Sequence, residues 1–262
     1  MTNIMELWNS MGSWFNIVML IIEIAVVFTM VVLAEKLFKK DGLVAWIAIA
    51  TIMANIITNK SAEFFGWSSA CGTVVFASVF LATDILSEKY TKEDAKRAIH
   101  IALASNIALI FITQILIHYM PSSTDFAHDA MAILFSGSLR ISLASALMFY
   151  IANILDVYLF NKLKERMKGK YMWIRNNIST VICNCVENFC FMFLAFIYIP
   201  FLPGSFAGFP ENTLNVVLIL AATTTLIEIL VAVCDTPFLY WATGNFKVLK
   251  NNPLSEDFKN KH

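Results

Sequence analysis

Long apolar runs broken by short basic clusters limit what this chain can become more than any other feature. A helix needs about 20 predominantly apolar residues to cross the hydrocarbon core of a bilayer. Seven stretches approach or exceed that length: 13–35, 43–59, 68–88, 98–120, 131–160, 173–201 and 212–243. They predict an all-α, polytopic membrane bundle of about seven transmembrane helices, forming a single domain over 1–262. Six helices with one re-entrant or interfacial segment is the alternative. Charged residues are 15% of the chain and hydrophobic ones 58%, against roughly 25% charged in an ordinary soluble domain. The soluble class is excluded, and the lipid bilayer is the first partner.

The basic residues give the orientation. Sixteen of the nineteen Lys and Arg fall after the first, third, fifth and seventh stretches, and cytoplasmic loops carry the Lys and Arg excess. The N-terminus is therefore expected outside and the C-terminus in the cytoplasm, as a multi-pass protein of the cell inner membrane. The first apolar run is too long for a cleaved signal and lacks a small-residue cleavage site, so it reads as a retained span. Pro237 marks a kink or an end in the last span. The formal net charge is zero, which gives no ground for direct nucleic-acid binding. Cys71, Cys183, Cys185, Cys190 and Cys234 match no zinc spacing and read as packing thiols. No metal, cofactor or catalytic group is expected: His100, His118, His128 and His262 are scattered, with no nucleophile nearby.

Ionisable side chains inside the bilayer cost about 2.5–3.5 kcal/mol each on insertion scales, so each needs a reason. Glu23, Arg140, Glu187 and Glu228 lie near the middle of their stretches, and Asp84, Asp156 and Asp235 lie toward the cytoplasmic ends. Arg140 and Glu187 sit at similar depth and read as a structural ion pair or as a gating or coupling pair. Glu23 and Glu228 read as protonated core residues or coupling carboxylates. Asp84 and Asp235 either join them or reach toward headgroups.

One arrangement is more specific. The fifth stretch carries Asn153, Asp156 and Phe160, and the sixth carries Asn184, Glu187 and Phe191, in the same register. Offsets of three and seven hold each set on one helical face. A carboxylate can accept from the N–H groups of a guanine-like edge, an amide can donate and accept, and a Phe can stack. Running on antiparallel helices, the two sets resemble a small inverted repeat, between whose halves transporters commonly place substrate. They also read as interhelical glue, as do Asn55 and Asn106.

The segments 82–90 and 92–97 (ATDILSEKY and KEDAKR), 155–164 (LDVYLFNKLK), 173–180 (WIRNNIST) and 235–240 (DTPFLY) resemble the queuosine precursor transporters of the vitamin uptake transporter group. The resemblance is strongest over about 43–243. It implies import of 7-deazaguanines (7-cyano-7-deazaguanine, 7-aminomethyl-7-deazaguanine or queuine) for tRNA queuosine synthesis, by a secondary transporter and not an enzyme. It also gives Arg175, at the mouth of the sixth helix, a gating role. Where the family carries a Ser-Gln pair before each carboxylate, this chain has Ala152-Asn153 and Cys183-Asn184, shorter by one methylene at each amide. The rival reading is a substrate-binding membrane subunit of an ATP-energised vitamin or nucleobase importer.

Overall fold

The computed structural model describes residues 13–135, 139–192, 194 and 213–244. Seven helices account for most of them: α1 (Ser13–Ile57), α2 (Thr73–Lys89), α3 (Lys92–Leu116), α4 (His128–Phe135), α5 (Leu139–Arg166), α6 (Met172–Met192) and α7 (Thr213–Thr243). The architecture is an all-α helical bundle. The sequence predicts a short outer loop near 203–211, between the sixth and seventh stretches, and this segment lies outside the described residues.

α1 holds two of the expected spans in one element. Lys39 breaks it with φ 56° and ψ −134°, leaving arms 13–38 and 40–57. Gly42 sits just past the break because a side chain there would meet the Ala34 carbonyl and the Phe38 Cβ.

The third span was expected to begin at 68. Instead, Ser61–Phe64 (β1) and Trp67–Ala70 (β2) form an antiparallel hairpin, with Phe64 opposite Trp67, and α2 begins only at Thr73. The turn residues Phe65 and Gly66 both have positive φ, 54° and 83°. That is the backbone twist two-residue hairpins favour, and Gly supplies it without strain. Hydropathy alone does not register such a turn. The fifth stretch likewise divides, into α4 and α5. Pro237 lies inside α7, which continues to Thr243.

α2 is the hub, packed against α1, α3, α5 and α7. At 17 residues it spans only about 25 Å, short of the roughly 30 Å hydrocarbon thickness. Fourteen of its residues are buried, including Asp84, Thr83 and Ser87, so its polar side chains are shielded by the neighbouring helices. Among the described residues, four helices are long and apolar enough to cross a membrane: Trp14–Ile57, Lys92–Leu116, Ser142–Arg166 and Ala221–Thr243. Their outer faces carry large exposed apolar residues such as Trp14, Ile21, Phe111 and Leu230, as helices solvated by lipid do.

Candidate functional site

The bundle has two chemically different ends. At one, α1, α2, α3, α5, α6 and α7 are tied together by charge. Lys40 bonds Asp94 at 3.0 Å. Lys89 reaches the buried Glu35 at 2.5 Å and the Ala242 carbonyl at 3.1 Å. Lys36 lies 4.5 Å from the centre of the Trp241 ring. Burial, and then the Glu35 carboxylate beside it, push the Tyr90 phenol above its ordinary range.

Deeper at this end, Glu88 accepts from both Arg175 (3.1 and 3.4 Å) and Lys164 (3.0 Å). Arg175 is fully buried. It also donates to the Gly169 carbonyl at 3.3 Å, and its guanidinium stands 5.0 Å from the centre of the Phe160 ring. Lys164 adds bonds to the Ser87 and Glu88 carbonyls. Three helices are thereby pinned at a single carboxylate, and this end is closed.

Toward the other end lies a cavity of about 550 Å³. Its wall includes Thr51 and Asn55 of α1, Ser69 of the hairpin, Phe76 of α2 and Asn106 and Gln114 of α3. It is completed by Ser142, Ser145 and Phe149 of α5, Glu187, Asn188 and Phe191 of α6, and Thr224 and Glu228 of α7. The Asn188 amide donates to Glu228 at 2.5 Å and to the Thr225 hydroxyl at 3.0 Å. Glu187 Oε2 and both side-chain polar atoms of Asn106 find no protein partner. Unpaired buried polar atoms cost about 1–3 kcal/mol each, so this wall suits a polar ligand.

Between cavity and closed end lies a second polar region. Asp84 (α2), Asp156 (α5) and Asp235 (α7) are fully buried and within electrostatic reach of one another. The Asp156 carboxyl has the Ser179 hydroxyl and then Asp84 as neighbours, yet no carboxyl oxygen of Asp84 or Asp156 meets a hydrogen-bond partner in good geometry. The Asn176 amide donates to Asp235 at 2.6 Å. Asn177 donates to the Thr236 hydroxyl at 2.9 Å.

The residues singled out from sequence therefore divide. Glu187, Phe191 and Glu228 reach the cavity. Asn153, Asp156 and Asn184 are buried below it, the Asn153 amide donating to the Phe149 carbonyl at 2.9 Å. Phe160 lies under Arg175, away from the cavity. Glu23 is half-buried on the first arm of α1 and joins neither region. The Arg140 side chain, and with it the Arg140–Glu187 pairing, lies outside the described residues. Sequence reasoning missed Asn188 and Thr225, and it assigned Asn55 and Asn106 to interhelical bonding. The available signal was the spacing of Thr225 and Glu228, which share one face of α7 opposite Asn188.

Residues 70–242 match a family model described as "Putative vitamin uptake transporter". A "Probable queuosine precursor transporter" of Bacillus subtilis (strain 168) is 31% identical over 87% of this chain and 93% of its own length. The "Queuosine precursor transporter" of Escherichia coli (strain K12) is 27% identical over 55% of this chain and 62% of its own length. A "Probable queuosine precursor transporter" of Haemophilus influenzae is 26% identical over 52% of this chain and 55% of its own length. No solved structure matches.

Proposed function

The chain belongs to the vitamin uptake transporter family, and on that premise we propose that it imports 7-deazaguanine precursors of queuosine across the inner membrane as a secondary transporter. The observation that carries this reading is the relationship to the Bacillus subtilis protein along nearly the whole chain. A transporter family points away from an enzyme.

The cavity supports the reading chemically. Its volume of about 550 Å³ falls within the roughly 300–1,000 Å³ of small-ligand sites. Glu187 offers a free carboxylate oxygen for the ring N–H and exocyclic amine of a guanine-like edge. Asn106 offers an amide for the ring carbonyl, and Phe191, Phe76 and Phe149 offer faces for stacking. Positive-inside orientation makes the pinned, lysine-rich end cytoplasmic, so the cavity belongs to a state open toward the outside. Arg175, with Glu88 and Lys164, is the inner gate. Asp156, Asn153 and Asn184 line the route below the cavity.

The test is the queuosine content of tRNA in a host that neither makes nor imports the precursors and expresses this chain alone. Each deazaguanine is supplied separately, together with the enzymes its insertion needs. Restoration by at least one is expected. No restoration from verified membrane expression would overturn the reading, and restoration only with added ATPase subunits would replace it with the energised-subunit one.

A further inference from the structure

The carboxyl groups of the middle region outnumber the charges that could balance them. Asp84, Asp156 and Asp235 come from three different helices and are fully buried. The charged groups nearest them are Glu88 on α2 and Arg175 on α6, with Lys164 of α5 behind Glu88. Glu35 of α1 is taken by Lys89. Both Arg175 and Lys164 are committed to Glu88, so two cations face four carboxyls. Sixteen residues of α5 separate the Arg140 backbone from Asp156, about 24 Å along the helix. Carboxylates that share a dry site cannot all ionise. No group of acidic, His or Cys side chains among the described residues is arranged to hold a metal ion.

A second, independent feature joins this region to the cavity. Asn176, Thr180, Asn184 and Asn188 recur every fourth residue along one face of α6. The first three are at most 2% exposed. Asn176 Oδ1, Thr180 Oγ1 and Asn184 Oδ1 find no protein partner, although more than nine in ten buried polar groups normally do. Asn176 is aimed at the acids through its bond to Asp235, and Asn188 ends in the cavity on Glu228. On α7, Glu228 and Asp235 are seven residues apart, about 10 Å. The face is a string of unsatisfied buried oxygens leading from the cavity to the acids.

We propose that Asp84, Asp156 and Asp235 form a proton-carrying site, loaded from the cavity along the polar face of α6, through which the proton gradient drives substrate uptake. The inference rests on the transport reading above. A proton taken up from the cavity side adds to one carboxylate, and the same proton leaves that carboxyl once the Glu88 gate opens at the other end. Substrate and proton move together because both require the same gate.

The experiment uses the purified full chain in sealed proteoliposomes, with the membrane potential clamped at zero and radiolabelled 7-cyano-7-deazaguanine as probe. Counterflow exchange, which needs no gradient, tests transport. Accumulation driven by a one-unit pH gradient tests coupling, and one proton per substrate predicts about tenfold accumulation. Asp84→Asn and Asp235→Asn are expected to keep counterflow and lose accumulation. Counterflow without proton-driven accumulation in the wild type, or accumulation driven by a sodium gradient instead, overturns the proposal and leaves the transport reading standing. If counterflow itself fails, transport of this probe fails, and infrared spectroscopy still decides the proton site. The carbonyl stretch of protonated carboxyls at neutral pH should weaken in Asp84→Asn and in Asp235→Asn. An unchanged band in both variants overturns the proposal.

Discussion

Replacing Glu88 with Gln perturbs the closed end at its most connected atom. The side chain keeps its volume and one accepting oxygen but loses the charge that Arg175 and Lys164 share. Arg175 is fully buried, and its remaining contacts are the Gly169 carbonyl at 3.3 Å and the Phe160 ring. Removing one partner of a buried ion pair costs about 3–5 kcal/mol. Glu88 itself is 14% exposed, and the Gln oxygen still accepts a bond, so about 2 kcal/mol is the discounted figure. In the proposed gate, opening would separate α2 from α5 and α6 and let water reach the guanidinium, so the penalty falls on the closed arrangement. A bias of about 2 kcal/mol shifts the closed-to-open equilibrium roughly 30-fold.

Ser87 reports this shift well. It is 2% exposed, and its carbonyl is covered by the Lys164 ammonium at 3.0 Å. With the five native cysteines replaced and Ser87→Cys introduced, a membrane-impermeant maleimide should label sealed vesicles roughly 30-fold faster when Glu88→Gln is added, in proportion to the open population. The vesicle orientation that labels also identifies which side the basic end faces. Adding Arg175→Gln removes the stranded charge and should return labelling toward the starting rate, a coupling that only neighbouring groups display. An unchanged rate in Glu88→Gln refutes the gate. A double variant that labels as fast as the single one refutes the unpaired charge as the cause.

Two further outcomes follow from local chemistry. Glu228→Ala strands the buried Asn188 amide, whose donors now serve Glu228 and Thr225. A loss of about 1–3 kcal/mol in the cavity wall should weaken deazaguanine binding by roughly fivefold or more in a filter-binding assay, and unaltered affinity would remove Glu228 from the site. Lys39→Gly relieves a residue held at φ 56°, a conformation that costs a non-Gly side chain about 1–3 kcal/mol. The thermal unfolding midpoint in detergent should rise, and a fall would mean that the Lys39 side chain contributes more than its backbone costs.

Much of this organisation is legible in the sequence because lipid makes strong demands. Every backbone group in the hydrocarbon must be satisfied within a helix or closed sheet, so the apolar stretches translate directly into α1, α3, α5 and α7. Polar residues that lipid should reject turn up in the two interior polar regions, as with Glu187, Glu228, Asp84, Asp156 and Asp235. Legibility ends where backbone geometry decides. The positive φ values at Phe65 and Gly66 turn apolar sequence into a hairpin that no hydropathy window detects. Pairing across helices is equally hidden: nothing in the spacing of Glu88 announces Arg175, 87 residues later, as its partner.

The repeated Asn, carboxylate and Phe pattern is the most instructive case. Equal register on antiparallel helices sends the two sets in opposite directions. Their starting ends meet, since Ala152 and Cys183 pack together against Phe80. From that level Phe191 rises to the cavity, and Phe160 descends to the guanidinium of Arg175. Each ring is seven residues from its Asn, about 10 Å along its helix, so the two rings stand about 20 Å apart and cannot clasp one flat base together. An inverted pair of this kind suits alternating access, with Phe191 stacking substrate in the state open at the cavity and Phe160 doing so once Arg175 has moved aside. Phe191→Ala should then raise the half-saturating concentration for counterflow measured from the cavity side, and Phe160→Ala the one measured from the basic side. Base–aromatic stacking worth about 1–3 kcal/mol makes each change roughly fivefold to more than a hundredfold. Equal effects of either variant from both sides would mean that the two rings serve one fixed site, and the inverted reading would fail.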